Sequence, residues 1–122
     1  LPAMYALEIS LQRIVGEGIE NVFARHHAIA DRTRSGALKL GLSLFPDRAF
    51  ASDTVTAIKL PEGMDGKALV ARVRKDHGTV IGGGQGPMTG KIVRIGHMGW
   101  VEPAQVDAAI DAVGKSIAAM RA

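Results

Sequence analysis

The sequence predicts an α+β domain of two layers, a small antiparallel or mixed sheet with helices packed on one face. Three observations predict it. Apolar residues recur at helical spacing over residues 4–40, 69–73 and 106–120. Short β-branched runs fall between these stretches rather than in one block. Glycine and proline separate the runs, so the elements read in the order ααββαββα, with no internal repeat.

Pro2 suits a helix first turn, and Met4, Leu7, Leu11, Ile14 and Val15 continue the helical pattern until Gly16 and Gly18 punctuate it. A second pattern carries Ile19, Val22, Phe23, His26, Ile29, Ala30, Thr33, Ala37 and Leu40 on one side. Gly36 weakens its last turn, and Gly41 stands just past its end. The two together predict a bent or broken long helix. Leu42–Phe45 reads as a short strand stopped by Pro46-Asp47, and the alternating run Thr54–Leu60 as a second, ended by a turn at Pro61-Glu62-Gly63. Asp65 can cap a helix over Leu69, Val70 and Val73 to His77, which Gly78 closes. Thr79-Val80-Ile81 is expected as a third strand, Gly82–Gly90 as a glycine-rich connection, and Lys91–Ile95 as a fourth strand. Glu102-Pro103 opens a last helix with Val106, Ile110, Val113, Ile117 and Met120 on one face.

The 122 residues make one domain at most, able to bury roughly two-thirds of the unfolded surface. Five aromatic residues leave the core to aliphatic side chains. No apolar run reaches the ~20 residues of a membrane span. The absence of cysteine removes disulfides, thiolate chemistry and sulfur-based zinc sites, and fits a reducing cytoplasm. The formal charge of +3 permits a nucleic-acid partner, but the cations are dispersed and lone Tyr5 and Trp100 offer no stacking ladder. The chain begins Leu1-Pro2, from which an upstream portion, cut away or belonging elsewhere, is expected, and no signal peptide is expected within the 122 residues.

Chemistry concentrates in Lys91–Trp100. A strand of branched apolar residues there carries Arg94, whose planar fork suits a carboxylate or phosphate, and burying it calls for a fixed anion. The preceding Gly82–Lys91 run is neither a dinucleotide fingerprint nor a P-loop. It enters a strand rather than a helix, and Gln85 and Ile92 stand where a P-loop needs glycine and Ser or Thr. It is either a wide hairpin or a loop that also closes over a small ligand. His97 follows Arg94 and is either a histidine satisfied by backbone or part of the site. His26, His27 and His77 have no carboxylates at metal-ligand spacing, Asp107 and Asp111 read as a solvated helix face, and no lysine near the sheet has an evident desolvating pocket. From its residues alone the chain is a binding domain with one anion-recognising arginine.

Gly83-Gly84-Gln85-Gly86, Gly90-Lys91-Ile92 and Arg94-Ile95-Gly96-His97-Met98-Gly99 together resemble the C-terminal signature of class V aminotransferases. The branch is that of alanine–glyoxylate, serine–glyoxylate and serine–pyruvate aminotransferases, with relatives called soluble hydrogenase small subunit. Supporting marks are Pro2, Ala6-Leu7, Glu17-Gly18-Ile19-Glu20, Arg25-His26, Leu40-Gly41-Leu42, Val55-Thr56-Ala57 and Pro61-Glu62-Gly63. The resemblance implies that residues 1–122 are the small, substrate-binding C-terminal domain of a fold-type I enzyme. It implies ping-pong transfer of an amino group from alanine, serine or aspartate to glyoxylate or pyruvate, with pyridoxal 5′-phosphate as cofactor. The residue matching Arg94 binds the substrate α-carboxylate, and Gly83, Gln85 and His97 are pocket or supporting candidates. The cofactor lysine, the other cofactor ligands and the large domain are expected outside this chain; Lys91 is a motif residue and not that lysine. No catalytic, cofactor-binding or metal-binding residue is expected within the chain, which alone is expected to be inactive. The full-length enzyme is expected to be a cytoplasmic homodimer without nucleic-acid or membrane partners.

Two other readings stand beside this one. A free-standing, non-catalytic binding or interaction domain would keep the same fold. A small basic RNA-binding domain would bind RNA in a strongly salt-dependent way. Cysteine desulfurase relatives fit poorly, because their nucleophile is a cysteine and none is present.

Overall fold

The computed structural model describes all of residues 1–122 and holds the elements in the expected order. Helix α1 (Pro2–Glu17) starts on the fixed φ of proline and ends at Gly18, whose φ of 89° disfavours any other residue. The chain resumes at once as α2 (Ile19–Lys39), so the long helix is a pair broken at one glycine. Past its end the Leu42 N–H donates to the Ala37 carbonyl and the Gly41 N–H to that of Leu38, the paired bonds of a glycine-terminated helix. Helix α3 (Gly66–His77) is capped by Asp65, which accepts from the Lys67 and Ala68 N–H groups. Helix α4 (Pro103–Arg121) opens with a reciprocal capping box between Glu102 and Gln105.

Strands β1 (Ser43–Leu44), β2 (Val55–Lys59), β3 (Gly82–Gly83) and β4 (Ile92–Gly96) form one antiparallel sheet in the order β1-β2-β4-β3. The third strand departs from expectation. Pairing falls on Gly82 and Gly83, opposite Arg94 and Val93, and not on Thr79–Ile81. Ile81 turns into the core while Val80 is 73% exposed. A Cβ added at Gly82 would meet Arg94 Nε and Nη2 at 3.6 Å, an ordinary contact, so the guanidinium lies directly over this glycine.

Alternation sorts the sheet into two faces. Ile58, Val93 and Ile95 join Leu42, Leu69, Val73, Ala112, Val113 and Ile117 in one core cluster, and Thr56 is buried on the same side. Val55, Ala57, Lys59, Ile92 and Arg94 alternate to the other side. Helices α2 and α3 lie against the core face, and α4 packs on both helices. Gly36 makes the approach of α2 to α4 possible: an added Cβ would stand 3.1 Å from Ile110. Helix α1 differs from the other three in burying no residue. Met4, Leu7, Leu11 and Val15 are all exposed, so its apolar stripe has no partner within the chain.

Candidate functional site

Arg94 stands in the middle of β4, between Ala57 of β2 and Gly82 of β3, on the face that no helix covers. The expected buried strand is therefore covered by helices on one side only, and on the other side Ile92 is still buried. Local alternation puts Arg94 on the other side, and small neighbours let its side chain lie half-buried along the sheet. Its Nε donates to the Gly83 carbonyl at 2.8 Å. Neither Nη group has a protein partner, and no carboxylate lies within ion-pair distance.

That makes Arg94 unlike the other arginines. Arg25 and Arg34 are also withdrawn from solvent, but Arg25 pairs with Glu17, and Arg34 with Asp31 and Asp53. The remaining arginines and all the lysines are exposed. Arg94 alone is shielded without an acid. With Nε committed to Gly83, its two Nη groups present an end-on fork, the geometry that takes both oxygens of one carboxylate or phosphate.

The glycine-rich connection is largely bonded to itself. Gly84 N–H donates to the Ile92 carbonyl, Met88 N–H to that of Gln85, and the Thr89 hydroxyl to that of Gly86. A Cβ on Gly84 would overlap the Met88 carbonyl, so the turn closes only around glycine at that position. Gln85 is exposed and its side chain has no hydrogen-bond partner. Among the four candidate residues the structure brings Arg94 and Gly83 into contact, and leaves Gln85 on the adjoining turn.

His97 lies elsewhere. It follows β4 on the core face, opposite to Arg94, and is 1% exposed. Nδ1 sits 3.1 Å from the Asp53 carbonyl, which can only accept, so Nδ1 carries the proton. Nε2 then accepts from the Thr56 hydroxyl at 2.7 Å. Burial pushes its pKa below the ordinary 6.5, with the nearby Arg34 charge acting the same way, so the ring is neutral at pH 7.

Arg34 carries the contact that sequence reading overlooked. Its side chain is buried; Nη1 donates to the Ser52 carbonyl at 3.0 Å, and Nη2 to Asp31 and Asp53 at 3.0 and 3.1 Å. Burial alone would raise the Asp53 pKa, but the hydrogen bonds from Arg34 and His27 outweigh it and hold the carboxyl below its usual range. For Asp31 the Arg34 hydrogen bond is the leading cause of the same shift. The signal was present in the sequence: Arg34 falls four residues after Ala30 and one after Thr33, on the stripe that α2 buries.

A second polar clasp holds the segment after β4. Arg25 Nη1 donates to the Gly99 carbonyl at 2.7 Å, and the Gly99 N–H donates to His26 Nε2 at 3.0 Å. Trp100 lies 5.5 Å from the Arg13 guanidinium and 5.3 Å from that of Arg25. Asp107 pairs with Arg32 and Asp111 with Lys115, as members of a solvated face do. No group of His, Asp and Glu side chains is arranged to hold a metal ion, and no helix is long and apolar enough to cross a membrane.

No protein-family model matches the chain. It is 44% identical over 94 residues to L-aspartate–glyoxylate aminotransferase of Paracoccus denitrificans, an alignment covering 76% of this chain and 24% of that protein. It is 40% identical over 110 residues to pyridoxamine–pyruvate transaminase of Mesorhizobium japonicum, covering 88% of this chain and 28% of that one. Its fold matches the crystal structure of alanine–glyoxylate aminotransferase from Nostoc sp. with a TM-score of 0.89 and 33% identity, over 93% of this chain and 30% of the other. The chain thus spans between 24% and 30% of the length of these relatives.

Proposed function

In sequence and fold the chain corresponds to the small C-terminal domain of class V aminotransferases, and from that premise we propose that Arg94 is the substrate-carboxylate clamp of such an enzyme. The observation that carries this reading is the half-buried guanidinium with both Nη groups free and no acid beside it. The amino donor and the keto-acid acceptor of a transamination have one group in common, the carboxylate next to the reacting carbon. A single fixed fork therefore serves both half-reactions. Partial burial strengthens its charge relative to open water, and the Gly83 bond removes much of the entropy of ordering a long side chain. Holding the carboxylate at two points fixes the orientation of the adjoining carbon, which is where positional control acts on rate.

The donor on this reading is a small amino acid such as alanine, serine or aspartate, and the acceptor glyoxylate or pyruvate. Two of the relatives named above, the L-aspartate–glyoxylate and alanine–glyoxylate aminotransferases, are named for such a pair, whereas the other takes pyridoxamine, which has no carboxylate, with pyruvate. Pyridoxal 5′-phosphate is the cofactor of that family, and the residues present do not fit a holding role. Its amine partner has to be a desolvated lysine, whereas every lysine here is exposed, and the glycine-rich turn uses much of its backbone hydrogen bonding internally. The cofactor and the large domain that holds it accordingly belong to sequence outside residues 1–122, and the assembled enzyme is a homodimer in this proposal. Removing the Arg94 side chain and measuring both half-reactions tests the assignment.

A further inference from the structure

On Arg94's own face, its cross-strand neighbours are Ala57 and Gly82. Neither has a side chain large enough to set the height or tilt of the arginine by contact. The side-chain bonds that add to the β2–β4 backbone ladder near this point are on the other face. His97 makes three hydrogen bonds, all to β2 or its lead-in: Nε2 with Thr56 Oγ1 at 2.7 Å, Nδ1 with the Asp53 carbonyl at 3.1 Å, and its own N–H to the Thr54 carbonyl at 2.9 Å. Thr56 adjoins Ala57, the residue directly opposite Arg94. The lead-in is in turn gripped by Arg34 of α2, through the Ser52 carbonyl and the Asp53 carboxylate.

We propose that His97 is a positioning residue for Arg94: a buried ring that pins the β2–β4 register from behind, so that the fork on the opposite face meets the carboxylate at one fixed height. The inference rests on the carboxylate-clamp reading for its consequence, but not for its geometry. A one-residue slip of a strand turns every side chain to the other face, and here it would also strand two ring nitrogens without partners in a dry site. An apolar side chain at 97 would fill the same space without specifying register. Buried polar groups are known to act as register devices in this way.

The test separates stability from aim. His97→Met replaces the ring with an apolar chain, His97→Gln can restore one donor and one acceptor, and Thr56→Val removes only the hydroxyl that serves Nε2. In the 122-residue chain, thermal unfolding and NMR exchange of the Arg94 Nε–H, which is held by Gly83, are measured together. The expected result is that His97→Met and Thr56→Val stay folded with the unfolding midpoint lowered by roughly 4–8 °C, while the Nε–H exchanges about tenfold faster at a temperature where both are folded, the ratio that loss of one ordinary hydrogen bond corresponds to. His97→Gln recovers part of the protection. In the aminotransferase carrying this domain, His97→Met lowers kcat/KM for donor and acceptor alike by about tenfold to a hundredfold, the effect on rate of a roughly 1 Å misplacement. If His97→Met does not fold, Thr56→Val carries the same expectations. Unchanged Nε–H exchange in the folded variants would overturn the proposal. So would Arg94→Ala lowering kcat/KM while the His97 and Thr56 variants do not; if Arg94→Ala itself leaves kcat/KM unchanged, the clamp reading fails instead.

Discussion

Arg94 gives its Nε proton to the Gly83 carbonyl at 2.8 Å, and this bond turns a flexible cation into a fixed fork with two free Nη groups. The bond joins neighbouring strands β3 and β4, so the arginine is held by the sheet itself rather than by an acid.

The first consequence concerns substrate binding. In the enzyme carrying this domain, Arg94→Ala should lower kcat/KM for donor and acceptor together by about tenfold to a hundredfold, matching the ~1.5–3 kcal/mol of hydrogen bonds to a charged group. Arg94→Lys should fall between, because a point charge lacks the planar fork. Stopped-flow measurement of each half-reaction checks this, and a loss confined to one of them would count against a shared clamp.

The second concerns the cofactor. Mixed with an equimolar amount of pyridoxal 5′-phosphate, the 122-residue chain should show no stoichiometric visible absorbance beyond that of the free compound. All its lysines are exposed, and none lies in the desolvated pocket that a Schiff-base amine needs. A saturable band at one equivalent would show that a lysine of this chain does hold the cofactor.

Two adjacent glycines should behave differently. Gly83 has nothing within 4 Å of an added Cβ and meets Arg94 through its carbonyl, so Gly83→Ala should be silent in denaturant unfolding. Gly84→Ala should cost about 1–3 kcal/mol, because the new methyl overlaps the Met88 carbonyl and forces the turn open. Equal midpoints for the two variants would contradict this packing.

Stability should fall in two pH windows on acidification. His97 has a folded pKa below its ordinary 6.5, so the unfolded chain takes up the proton first. Its contribution is complete above that value and is lost as pH falls from 6.5 toward the folded value. Asp31 and Asp53 have folded pKa values below the ordinary 3.8, so their contribution is present above 3.8 and disappears as pH drops further. Thermal midpoints measured across both windows test this, and His97→Gln should flatten the upper limb only.

Much of the fold was legible locally. Asp65 and Glu102 announced helix starts, Gly18 and Gly41 announced helix ends, and the alternation around Ile58 and Ile95 announced which residues would share a face. The third strand is expected at Thr79–Ile81 because that run has the stronger β propensity, whereas the pairing falls on Gly82 and Gly83, where Gly82 faces Arg94 and the Gly83 carbonyl accepts its Nε proton. For the site, the residue type and motif at Arg94 were readable. For Arg34 the helical stripe signalled burial but not its partners, since Ser52 and Asp53 lie in a loop with no periodicity of its own.

The sequence by itself determined the order of elements, most of their ends, and a strand around Arg94 whose alternation gives it two opposite faces. Only the tertiary structure decided which of those faces the helices would cover. That choice made Arg94 the accessible fork and His97 the buried pin, and it placed Gly83 where its carbonyl could hold the guanidinium. The physical reason is that alternation is a property of a single strand, whereas burial depends on α2, α3 and α4 arriving from distant parts of the chain to cover one side of the sheet.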